Sequence, residues 1–215
     1  AENVTVVLSE KGWVKAAKGH EIDSSALNYK SGDAFLKEAK GRSNKMAFFI
    51  DSSGRSYTLL ANSLPSARGQ GEPLTGRLTP PIGAEFIDVV MGDDEQLVIL
   101  SSDAGYGFIS TLGDLQSKTK SGKHAITLSK EAKTMRLTKV QNLESDYLAV
   151  ITNRARLLIF QVSELPHLSK GKGNKLINIK TDDFVAKEEF LIGLCIIKEN
   201  QKLRVEYGNG KKHKQ

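Results

Sequence analysis

The residues best equipped for chemistry in this chain are lysines and arginines set in glycine-containing loops. Lys15 and Lys18, Arg42 and Lys45, Arg68 and Arg77, Lys118, Lys120 and Lys123, and Lys170, Lys172 and Lys175 form short basic groups. Such loops suit a polyanion. Ammonium and guanidinium groups neutralise phosphates and release counterions, and glycines let backbone N–H groups approach phosphate oxygens. The bland alternative is solvated loop surface, which lysine favours anyway. Catalytic side chains are harder to assemble. His20, His124, His167 and His213 lie far apart in polar loops, and Cys195 is the single cysteine. Neither a zinc spacing nor an internal disulfide follows from them. Gly69-Gln70-Gly71 and Gly171-Lys172-Gly173 match no nucleotide-binding signature. Asp51-Ser52-Ser53-Gly54 reads as a hairpin turn rather than a nucleophile, and Asp93-Asp94-Glu95 as a solvated acidic turn. Cys195, inside the apolar run LIGLCII, is expected to be a small buried hydrophobe. Trp13 and Tyr106 are expected to pack in the core.

The elements that must position these loops recur. Apolar, β-branched arms at 148–151 and 156–161 flank Thr152-Asn153-Arg154-Ala155 and read as a hairpin. The same unit occurs around Ser9-Glu10-Lys11-Gly12, Asp51-Ser52-Ser53-Gly54 and Ser102-Asp103-Ala104-Gly105, with a weaker copy at Glu199-Asn200-Gln201 between arms 194–198 and 202–207. The reference residues Gly12, Gly54, Gly105, Ala155 and Gln201 are 42, 51, 50 and 46 residues apart. Leu64, Leu115 and Leu165 recur ten residues past the reference position, and Ile22 holds that offset in the first copy. A strand-rich period of this size predicts an all-β, propeller-like disc of about five four-stranded blades, closed or open. Residues 34–39 read as a strand of the second blade, and 181–189 as a helical turn leading to the fifth.

Charge follows the repeat. The basic loops come after the hairpins, and acids collect in the turns before them. If every blade is oriented alike, repetition turns scattered lysines into one belt that tracks a phosphate backbone without reading bases. The chain has 31 basic and 25 acidic residues, a net charge of +6 and a pI of about 9.3, a surplus that suits a polyanionic partner. Its 215 residues and the repeat imply a single domain, 1–215. No apolar run approaches a membrane span, and no signal peptide is expected. The chain begins at Ala1 and enters a strand almost at once, so it is expected to be a fragment of a longer intracellular protein.

Several long strings carry a family resemblance. LSEKGWVKAAKGH (8–20), LPSARGQGEPLTG (64–76), SDAGYGF (102–108) and LSKGKGNK (168–175) resemble the C-terminal domain of the A subunit (ParC type) of bacterial DNA topoisomerase IV, and the resemblance covers nearly the whole chain. It implies a β-pinwheel, a disc whose blades exchange strands. It further implies duplex-DNA binding along the basic rim, presenting a segment for decatenation and supercoil relaxation in chromosome segregation. The related gyrase A domain bears a QRRGGKG box. That string is absent here, with SARGQG and SKGKG its nearest analogues, which favours the topoisomerase IV type. The family's DNA-cleaving tyrosine lies in an N-terminal breakage-reunion domain, so this fragment is expected to be non-catalytic and to hold no cofactor. ATP and magnesium belong to the parent enzyme. The partners implied are duplex DNA, a bacterial condensin and, in the parent enzyme, a second A subunit with the topoisomerase IV B subunit. The isolated domain is expected to be monomeric. The resemblance implies a cytoplasmic, nucleoid-associated location, with peripheral attachment to the inner membrane left open for the parent enzyme. The alternative is a protein-interaction scaffold docking an acidic partner such as a condensin.

Overall fold

The computed structural model describes residues 1–198, 201, 204–207 and 211–214. In chain order the strands are β1 (Asn3–Ser9), β2 (Trp13–Lys18), β3 (Phe35–Arg42), β4 (Met46–Asp51), β5 (Arg55–Leu60), β6 (Glu72–Pro73), β7 (Phe86–Met91), β8 (Leu97–Ser101) and β9 (Tyr106–Thr111). They continue with β10 (Lys123–His124), β11 (Thr138–Lys139), β12 (Tyr147–Thr152), β13 (Leu157–Gln161), β14 (Asn174–Lys175), β15 (Leu191–Ile197), β16 (Arg204–Tyr207) and β17 (Lys211–Lys214). Two short α-helices, α1 (Leu112–Leu115) and α2 (Thr181–Val185), lie among them; α2 occupies the region read as a helical turn.

The hairpins β1–β2, β4–β5, β8–β9 and β12–β13 fall where the repeat places them. Each turn needs one left-handed residue: Gly12, Gly54 and Gly105 have φ of 81°, 94° and 92°, and Ala155 takes 59° in the fourth. Asp51 closes the second turn by accepting from the backbone N–H of Ser53 and Arg55, while its other oxygen accepts from the Tyr57 hydroxyl at 2.6 Å. After β5, β9 and β13 a single helical turn follows, Ala61–Ser63, α1 and Val162–Glu164. It turns the recurrent Leu64, Leu115 and Leu165 into the core, where all three are buried.

Around each hairpin the sheet is completed by other repeats. The strand leading to the next hairpin (β3, β7, β11 or β15) pairs antiparallel with the first arm. A two-residue strand from the loop after the next hairpin pairs with the second arm: β6 on β2, β10 on β5 and β14 on β9. The sheet orders are β3-β1-β2-β6, β10-β5-β4-β7, β11-β8-β9-β14 and β13-β12-β15, with β16 and β17 paired apart. The disc therefore has four blades, not about five: three of four strands and a fourth with three among the described residues. The reason is that leading strands pair backwards. β15, which begins the supposed fifth copy, runs alongside β12 from Thr152↔Leu191 to Tyr147↔Ile197 and completes blade four. Residues 34–39 likewise join blade one through β3. Glu199 and Asn200, in the supposed fifth turn, lie outside the described residues.

Both faces of the middle strands are apolar because blades stack. Ala47 and Phe49 of β4 pack with Val6, Leu8 and Val14 of blade one, while Phe48 and Ile50 pack with Val98, Leu100 and Phe108 of blade three. The next interface joins Ile99 and Ile109 to Leu148 and Val150 of blade four. Each alternation is the two-residue period of a strand. Among the described residues blade four ends the stack. Leu194 and Ile196 of β15 face blade three, so Cys195 points the other way and is exposed, against the expectation of a buried residue. Leu158 and Ile159 of β13 are also exposed, at 44% and 46%.

Candidate nucleic-acid interface

In blades one to three the strand order runs from an inner strand near the disc axis to a short outer strand. Each outer strand is carried by a post-hairpin loop, and these are the loops that hold the basic groups. The 65–73 segment lies along β2: Ala16 N–H donates to Pro65 O at 2.8 Å, Ala67 N–H to Ala16 O at 3.0 Å, and β6 then pairs with Trp13 and Val14. The 166–175 segment does the same on β9 through Ile109, Pro166 and Leu168, before β14 pairs with Tyr106 and Gly107. The 117–124 segment crosses β5, where Ser117 N–H donates to Thr58 Oγ1 at 3.0 Å. Three basic loops thus occupy equivalent places on the outer edges of three successive blades.

Glycine fixes where each loop lands. Gly71, Gly122 and Gly173 directly precede β6, β10 and β14 and have φ of 85°, 75° and 80°. A Cβ at Gly71 would stand 2.3 Å from Val14 O, at Gly122 2.7 Å from Ser56 O, and at Gly173 2.0 Å from Gly107 O. Those three carbonyls each lie two residues past the turn glycine of the blade being covered. Leu74 then donates its N–H to Gly12 O at 2.9 Å, Ala125 to Gly54 O at 2.9 Å and Leu176 to Gly105 O at 2.7 Å. Only a residue without a side chain fits, and the amide three residues later locks the register.

The predicted site residues divide by what they touch. Lys118, Lys120 and Lys170 are exposed, as are Lys18 and Arg68, and none of the five makes an ion pair among the described residues. Lys175 is exposed and reaches Asn178 Oδ1 at 3.1 Å. Lys172 lies over the Tyr106 ring with its amine 4.2 Å from the centroid, and Lys123 donates to Asp114 O. Arg77 is committed to Glu72 at 2.5 Å and to Ser63. Arg42 donates to Asn3 Oδ1 at 2.8 Å, and Lys45 shares a cleft with Asp93, Asp94 and Glu95. Lys15 departs most from the expected belt. It is 2% exposed, donates to Asn28 O and Gly69 O, and sits over Tyr29 at 4.2 Å. Burial pulls its pKa down, opposed by the charge of Asp33. Trp13 and Tyr106 are only partly buried, each beneath a lysine, Lys30 and Lys172 respectively.

Two arginines that sequence reasoning passed over position the loops. Arg55 donates to the carbonyls of Ser121 and Gly122 at 2.8 and 3.0 Å. Arg156 donates to Asn178 O and grips Glu189 with two bonds of 2.7 Å. The signal available was their place, each one residue past the hairpin-turn residue. Among the described residues no cluster of His, Cys, Asp and Glu could hold a metal ion, and no helix is long and apolar enough to cross a membrane.

Comparison with known proteins adds an independent line. A family model described as the DNA gyrase C-terminal domain, beta-propeller, matches residues 96–140 and 146–187. The A subunit of DNA topoisomerase 4 from Pseudomonas aeruginosa is 53% identical over 96% of this chain and 28% of its own length. The chain thus spans well under a third of that curated relative. The solved C-terminal domain of Escherichia coli ParC is 47% identical, covers all of this chain with 86% of its own, and superposes with a TM-score of 0.91. A crystal structure of a C-terminal domain of DNA topoisomerase IV, 16% identical with a TM-score of 0.79, shares the fold.

Proposed function

This chain belongs to the family of DNA topoisomerase IV A subunits, as its non-catalytic C-terminal domain, and from that premise we propose that residues 1–215 act as one unit holding a duplex DNA segment along the outer rim. The observation that carries this reading is the equivalence of three loops. Arg68, then Lys118, Lys120 and Lys123, then Lys170, Lys172 and Lys175 stand on the loops that carry the outer strands of successive blades. Lys18 adds to them at the end of β2. Lys15 stands outside the belt because its amine is buried, and Arg77 is spent on Glu72. Flexible lysines on loops suit phosphates rather than base edges, so binding is governed by charge and contour.

In this reading the cleavage reaction, with its ATP and magnesium, belongs to the rest of the parent chain, to a second copy of it and to the B subunit. The rim presents the segment on which decatenation and supercoil relaxation act in chromosome segregation, and its place in the cell is the cytoplasm, on the nucleoid. An acidic protein such as a condensin would seek the same cations. Binding of a duplex of about 40 base pairs, followed by anisotropy across a salt series without metal or nucleotide, separates the two. A steep negative log–log slope is expected, about 0.9 per phosphate contact. The combined Lys170→Ala, Lys172→Ala and Lys175→Ala variant is expected to shallow that slope by two to three contacts. Weak binding without salt dependence would leave the rim to an acidic protein, and an unchanged slope in the variant would remove blade three from the belt.

A further inference from the structure

The inner strands share a feature that the rim does not use. In three blades a β-bulge interrupts the pairing of the first hairpin arm with the inner strand. Leu8↔Lys37 is followed by Ser9↔Phe35, Ile50↔Asp88 by Asp51↔Phe86, and Ile151↔Gly193 by Thr152↔Leu191. Blade three has the same one-residue excess between Ile99↔Thr138 and Ser102↔Thr134. The extra residue is apolar each time: Leu36, Ile87, Met135 and Ile192. The next position carries Lys37, Asp88, Arg136 and Gly193. Bulges re-aim side chains, and beside these, between the inner strands of the four blades, lies a cavity of about 660 Å³. Ile87, Met135 and Ile192 line it together with Lys37, Arg136 and Lys139.

The charges do not cancel. Lys37 is paired with Asp88 at 2.8 Å, and Asp88 is fully buried and also accepts from Leu137 N–H at 2.8 Å. Lys139 donates to Met91 O; burial, then the charge of Lys37, lowers its pKa. Arg136 is exposed and makes no ion pair among the described residues. The fourth blade puts no side chain at this level. A Cβ at Gly193 would meet only Ile151 Cγ2, at 3.6 Å, so crowding does not dictate the glycine. The result is a concave apolar wall, an unpaired guanidinium, and room where a fourth side chain would stand. Ligand sites combine these features: mostly apolar lining, a few polar groups to fix orientation, and several hundred cubic ångströms.

We propose that this axial cavity is a binding site for a small organic anion, an apolar or aromatic body bearing one carboxylate, sulfonate or phosphate. The acid group pairs with Arg136, and the body lies on Ile87, Met135 and Ile192 in the space left by Gly193. The site is independent of the rim cations, so it stands whether or not the rim holds DNA.

The test uses 8-anilinonaphthalene-1-sulfonate, an aromatic body with one anionic group, titrated into the folded protein by fluorescence. Saturable binding at one site is expected. Arg136→Ala, at an exposed position, is expected to weaken it about tenfold, the loss of one charge-assisted contact. Gly193→Val is expected to abolish it by filling the space while leaving the melting temperature near that of the native protein. The Lys170, Lys172 and Lys175 alanine variant is expected to bind the probe as the native protein does. Non-saturable binding overturns the proposal. So does native-like binding in both axial variants, or loss of the probe on changing the rim.

Discussion

At the scale of single residues, burial decides which charges are free to act. Lys15 has the same type and loop-proximal position as the rim lysines, yet its side chain is buried and its ammonium serves two backbone carbonyls. Asn28 and Gly69, which supply those carbonyls, are themselves exposed, so water can replace the ammonium once it is gone. Lys15→Met keeps the buried stem and is expected to cost less than about 1 kcal/mol. Lys15→Ala empties the stem's space and should cost about 2–3 kcal/mol. Denaturant unfolding checks both, and neither variant should alter the salt slope of DNA binding. Glu189 shows the opposite case. It is 3% exposed and accepts two bonds from Arg156 and one from Thr152 at 2.9 Å. The Arg156 bonds hold its carboxyl below the ordinary range, against the opposing pull of burial. A depressed carboxylate contributes stability that is full above its unfolded pKa and is lost as pH falls through the folded one. Stability should therefore fall as the pH drops below about 4, and Glu189→Gln should flatten that part of the profile in unfolding experiments run at a series of pH values.

At the scale of elements, the outer strands are two residues long and depend on a glycine in front of them. Gly71→Ala, Gly122→Ala and Gly173→Ala each combine a left-handed backbone with a Cβ under 3 Å from a carbonyl oxygen. Each is expected to cost at least about 2 kcal/mol. Gly69→Ala, with nothing within 4 Å, is the control and should fall within about 0.5 kcal/mol in the same unfolding experiment. This is also where the sequence stopped being legible. The hairpins were readable because arms of five to seven residues rich in apolar types, with a glycine turn in three of the four, make a local signal. The recurrent Leu64, Leu115 and Leu165 were readable as a fixed offset, though not as the end of a helical turn. Glu72-Pro73, Lys123-His124 and Asn174-Lys175 carry no periodicity, so their pairing with a preceding blade leaves no pattern. The partner of β15 was equally hidden, because an apolar strand pairs as well forward as backward, and counting it forward yields a fifth blade. The exposure of Cys195 follows from blade four standing last in the stack among the described residues, a fact of assembly rather than composition.

At the scale of the whole molecule, the disc has two charged zones with different architectures. The rim cations sit on loops, on flexible stems, repeated from blade to blade, which suits a long ligand touched at many weak points. The axial cations sit on inner strands beside the bulges, Lys37 held by Asp88 and Lys139 by Met91 O, which suits one compact ligand. The basic loops were visible in the spacing of lysines, whereas the axial cavity required the register of all four sheets. The direction of strand donation has a last consequence. Blade one receives its outer strand from residues Glu72–Pro73, blade two from Lys123–His124 and blade three from Asn174–Lys175. On a ribosome, none of these three blades can finish until most of the next repeat has left the exit tunnel. Folding therefore trails translation by one full repeat, and the newest hairpin always waits with a bare edge, the arrangement in which unpaired strands meet other nascent chains.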